Sequence, residues 1–176
     1  MSTLTAPASI VAALRTQDLP DGVLEAIAVL DAWDFTLERI RATADAEKVG
    51  QTVSEDFLDQ GFLAVRMFLA ALKYSHVLAG SVPGLVKLTP SAELDLIFES
   101  CVVLNLNWEQ LCRAVFGDTV YHVMGAADTT DMVHATQASI ITLFKVADTP
   151  WEFFQPGDCG KSCKVINCWG IVGSPN

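Results

Sequence analysis

Three thiols stand close together near the end of this chain. Cys159, Cys163 and Cys168 are spaced Cys-x3-Cys-x4-Cys, and Lys161 and Lys164 lie close to Cys163 on either side. Ammonium groups beside a thiol favour its thiolate, so Cys163 reads as a nucleophile or as a target for oxidation. The spacing suits zinc poorly. Structural zinc sites pair cysteines about two to four residues apart, and a fourth ligand would have to come from Asp158 or His122. Two of the three pairing in air is the plainer outcome, and no metal site is assigned. The other two cysteines, Cys101 and Cys112, fall on the inward side of an apolar helical pattern, where a free thiol behaves as a small hydrophobe.

The remaining chemistry is sparse. His76, His122 and His134 lie in three separate segments, and none belongs to the Glu-x-x-His pairs that build a di-iron bundle. Each reads as a hydrogen-bonded core histidine, with a haem ligand as the alternative for any one that is buried. There is no Gly-x-Ser-x-Gly elbow and no dinucleotide fingerprint. Gly160-Lys161-Ser162 has the ending of a phosphate loop, but Gln155 stands where the required earlier glycine belongs. Carboxylates are plentiful without a pair that stands out, so no catalytic residue is assigned and the reading taken is non-catalytic. No cofactor is identified.

Helices must carry these residues. A short one is expected near Thr5 and Pro7, carrying Ile10, Val11 and Leu14. A second spans residues 22–49, with Val23, Ala26, Leu30, Trp33, Leu37, Ile40 and Ala44 on one face and Asp31, Asp34, Glu38, Arg41 and Asp45 on the other. Gly50 ends it, and Thr52 to Glu55 spells a capping box. The third spans residues 53–79. Its middle, residues 61–72, carries one charge, Arg66, and belongs at the centre of the body. The fourth starts at Thr89-Pro90 and runs to Gly117 on a seam of Leu94, Ile97, Phe98, Cys101, Leu104, Trp108, Leu111 and Val115. Residues 119–123 suit a short strand or one more helical turn. A fifth helix runs from about residue 128 to 146, and Trp151, Phe153 and Phe154 fold back as an aromatic knob. The expected class is all-α: an antiparallel bundle of four to five helices over residues 1–150, with an irregular, cysteine-containing tail over residues 151–176.

Composition narrows the partners. The chain is 51% hydrophobic and carries a net charge of −10, with its Lys and Arg scattered singly. Nucleic acid and anionic membrane surfaces need clustered cations, so both are excluded. No uncharged apolar run reaches the ~20 residues of a bilayer span. The start of the chain lacks the charged and apolar blocks of a secretory signal. A soluble, cytoplasmic protein is expected. Trp33, Phe62, Phe68 and Trp108 could line a hydrophobic pocket between helices for a small molecule or a protein partner.

The tail adds a different reading. From Val165 to Asn176 it has no charge and is rich in β-branched residues and glycine, a composition that is a liability if left exposed. A helical body followed by a short Cys-, Gly- and Trp-containing end resembles the precursors of ribosomally synthesised, post-translationally modified peptides. The run Val165-Ile-Asn-Cys-Trp-Gly-Ile-Val-Gly173 is similar in character to the Trp/Val/Ile/Gly cores of borosins, which are N-methylated on the backbone. The likeness covers about a dozen residues and is compositional. It implies a partner enzyme on a separate chain acting on the tail, with Cys159, Cys163, Cys168 and Trp169 in the modified or thiol-bearing segment. A redox or metal role for the same thiols is the alternative.

Overall fold

The computed structural model describes residues 9–80, 87–88, 90–118, 120–124, 130–155 and 167–171. The class is all-α, as expected. Six helices make the body: α1 (Val23–Ala32), α2 (Thr36–Lys48), α3 (Glu55–Ala79), α4 (Ala92–Val103), α5 (Asn105–Phe116) and α6 (Thr130–Leu143). Three short strands are added to them: β1 (Lys87–Leu88), β2 (Val120–Met124) and β3 (Asn167–Ile171). The helix count exceeds the four or five expected because two long helices each break in the middle.

Helix α3 is the axis of the body, packed against α1, α4 and α6. The run from Gly61 to Leu72 is buried throughout, which is why it carries so little charge. By length and composition α3 could cross a membrane, yet most of its apolar window is covered by the neighbouring helices. Its cap is Ser54, whose hydroxyl accepts from the Phe57 N–H at 3.1 Å, so the helix starts inside the expected capping box rather than after Thr52. At Gly61 the helix comes so close to α4 that an added Cβ would sit 2.9 Å from Ile97 Cγ1.

The helix expected over residues 22–49 breaks between Trp33 and Phe35. Asp34 accepts from both the N–H (2.9 Å) and the hydroxyl (2.6 Å) of Thr36, a local turn that competes with helix continuation. Arg66 fixes the elbow from across the core. It donates from Nε to Leu30 O at 3.0 Å and from Nη2 to Trp33 O at 3.2 Å, and its guanidinium lies 5.1 Å from the Phe35 ring centre. These are the carbonyls that a helix C-terminus leaves without partners. The break re-phases α2 against α1. Leu37 and Ile40, expected inside, are 56% and 62% exposed, while Glu38, expected outside, is 2% exposed.

The fourth expected helix breaks at Leu104, but the seam survives it: Leu94, Ile97, Phe98, Cys101, Trp108, Leu111 and Val115 are all buried. Helix α4 is capped by Ser91, which accepts from the Leu94 N–H at 3.1 Å; Glu93 and Asp95 fall in the first turn, where the helix dipole favours them. Thr5 and Pro7, where the short first helix is expected to start, lie outside the described residues; Ile10 to Ala13 form a turn, and Leu14 then forms an antiparallel bridge with Phe144. Mutual bonds between residues 13–15 and 143–145 hold that segment extended. The aromatic knob is present as a 3-10 turn, Trp151–Phe154, with Phe153 and Phe154 buried and Phe153 against Phe57 at 5.2 Å.

The strands form one antiparallel sheet in the order β1-β3-β2. Part of the tail expected to be irregular is therefore regular: Asn167–Ile171 is the middle strand. Its register places Trp169 opposite Leu88 on one side and opposite His122 on the other.

Candidate functional site

The candidate site is the slot that β3 fills. Its two walls are fixed by the body. Strand β1 precedes the Ser91 cap of α4 by two residues and packs against α6, with the Leu88 side chain 2% exposed. Strand β2 follows α5 through Gly117, whose φ of 79° is the left-handed conformation that ends a helix at little cost for glycine. Val120, at the start of β2, is buried, and its carbonyl accepts from Trp108 Nε1 at 3.3 Å. The walls do not pair with each other; each pairs with β3. The last described strand thus completes the sheet and joins the two edges through backbone hydrogen bonds.

The register assigns each tail residue a place on the backbone. Asn167 lies opposite Met124, Cys168 opposite Val123, Gly170 opposite both Tyr121 and Lys87, and Ile171 opposite Val120. Cys159 and Cys163 lie outside the described residues. Cys101 and Cys112 are 1% and 0% exposed. Burial pushes the Cys101 thiol far up, with the nearby Glu38 adding to it. Burial likewise pushes the Cys112 thiol up to about 12, against a hydrogen bond with the Val120 backbone. Neither thiol can act as a nucleophile at neutral pH in the folded body.

The four rings named for a hydrophobic pocket are distributed through the core. Phe62 packs on Phe35 at 5.3 Å, and Phe68, Phe98 and Trp108 stack edge to face at 5.4 and 5.2 Å. Trp33 sits half-buried at the α1–α2 elbow, and its Nε1 has no hydrogen-bond partner among the described residues. A groove of about 430 Å³ lies elsewhere, between α2 and the start of α3, lined by Thr36, Arg39, Ile40, Thr43, Glu47 and Leu58 among others. Arg39 crosses it to Glu55 and Asp59, each at 2.7 Å.

Sequence reasoning missed one polar residue. Glu38 is sealed in the body, with Oε1 3.5 Å from Asn107 Nδ2 and no hydrogen-bond partner for Oε2 among the described residues. Burial raises its carboxyl above the ordinary value, and the charge of Asp34 adds to the effect. A carboxyl without access to solvent has no substrate to act on. His134 is exposed, and His76 is half-buried with its imidazole pKa lowered by burial and by Lys73. Among the described residues no group of His, Cys, Asp and Glu is arranged to hold a metal ion.

No protein-family model matches this chain, and no curated protein or solved structure matches it either.

Proposed function

We propose that this protein is a non-catalytic carrier: its helical body holds its own Cys- and Trp-bearing C-terminal segment and presents that segment to a modifying partner enzyme. The observation that carries this reading is the position of β3, paired on both edges with strands of the body. Recognition through backbone bonds leaves the side-chain sequence of the tail free to serve another purpose. The uncharged composition of residues 165–176 and the thiols at 159, 163 and 168 give a partner enzyme its chemistry to work on.

Mass spectrometry of the protein isolated from its producing organism tests this directly. The expected result is a mass difference from the chain made alone, mapping to residues 156–176. A full-length, unmodified tail in the native material refutes the reading.

A further inference from the structure

We infer that β3 is exchangeable between copies of this chain, so that the slot between β1 and β2 also accepts Asn167–Ile171 from a second molecule and two chains close into a reciprocal pair. This is independent of whether the tail is modified.

The topology supplies the argument. Among the described residues β3 is the last strand and the middle one of the sheet, and β1 and β2 pair with it and not with each other. The described hydrophobic cluster includes Leu88 of β1 and Val120 of β2, so both walls of the slot are anchored in the helical body. Docking is by backbone pairing over Asn167–Ile171, and residues 156–166 lie in sequence between that strand and Gln155. A second copy's tail brings an identical strand and makes identical bonds. Each chain carries one slot and one strand, so mutual exchange closes with two-fold symmetry and leaves neither unfilled. The tether gives a chain's own strand an effective concentration of about millimolar, so the closed form dominates in dilute solution and exchange grows with concentration.

Covalent trapping tests this in the full-length chain. Val123 and Cys168 are Cα partners across β2 and β3. One chain carries Val123→Cys and Cys168→Ser and supplies the slot; a second, tagged chain keeps Val123 and Cys168 and supplies the strand. Both carry Cys159→Ser and Cys163→Ser, and the buried Cys101 and Cys112 stay silent. The two are mixed at high concentration, incubated and gently oxidised, and peptide mapping locates the bond. The expected product is a heterodimer joined between positions 123 and 168. Its yield should be several-fold above that of a matched slot chain bearing Val49→Cys, on the exposed end of α2, in place of Val123→Cys. Equal yields for the two slot chains overturn the proposal. A single chain with Val123→Cys and native Cys168 must close the bond within itself when dilute; failure there shows that the register is wrong and overturns the slot as well.

Discussion

Arg66 offers the sharpest test of how the body is held. Arg66→Met keeps much of the apolar stem and removes the guanidinium, which is 7% exposed as part of its residue and sits on two carbonyls at the end of α1. Hydrogen bonds from a charged donor are worth about 1.5–3 kcal/mol each, so the two together set an upper bound near 6 kcal/mol. Two effects reduce it. Leu30 O keeps a long bond from the Trp33 N–H at 3.4 Å. The unfavourable burial of a cation, which also lowers the Arg66 pKa, disappears with the charge. The expected net loss is about 3 kcal/mol, equivalent to a fall of about 6–12 °C in Tm for a chain of this size. Urea denaturation followed by circular dichroism measures it, with an unchanged slope confirming that the denatured state is comparable. Arg66→Lys should fall between the two, since one ammonium cannot reproduce the planar fork. A loss below about 0.5 kcal/mol for Arg66→Met, the size of an ordinary surface change, would refute the claim that this side chain fixes the elbow.

Glu38→Gln should raise stability at neutral pH. The carboxyl pKa is raised in the folded state, so the folded protein binds its proton more tightly than the unfolded chain, and stability conferred by the protonated form is lost as pH rises through the folded pKa. The glutamine's advantage is therefore expected at pH 7 and should shrink as pH falls toward the ordinary value of 4.5, where both states become protonated; denaturation at several pH values checks the trend, and a constant difference contradicts it. Gly61→Ala should cost about 1–3 kcal/mol despite alanine's better helix propensity, because the new methyl meets Ile97 Cγ1 at 2.9 Å. That penalty should shrink in an Ile97→Ala background, and a double-mutant cycle reads the coupling. Cys101 and Cys112 should resist thiol reagents at pH 8 until denaturant is added, since burial pushes both thiols upward; fast labelling of either in the native protein contradicts their placement.

Particular residues show why some of this was legible from sequence. The run from Gly61 to Leu72 is apolar on nearly every side, and a helix of that kind has no stable place except the interior. The seam from Leu94 to Val115 tolerated a break at Leu104 because both halves keep their apolar faces on the core. The elbow at Trp33 was hidden. Asp34 and Thr36 form a small turn that many helices override, and the guanidinium that makes it decisive lies more than thirty residues away in sequence. Once the phase shifts there, Leu37, Ile40 and Glu38 exchange faces. The sheet was harder still. A strand as short as Lys87–Leu88 has too few residues to show a period, and β2 and β3 meet across an interval of more than forty residues. The uncharged run after Val165 did mark a segment in need of cover, but nothing local names the strands that cover it.

The Ser91 hydroxyl belongs to two stretches of chain at once. It takes the Leu94 N–H and donates to Phe153 O at 2.7 Å, while Gln137 Nε2 holds Phe154 O at the same distance. Leu88 stands three residues before Ser91, at most roughly 11 Å along an extended backbone. Phe153 and Phe154 are thus moored beside the short edge of the sheet. The one hydroxyl that starts α4 therefore also berths the aromatic turn close to one side of the gap that β3 fills.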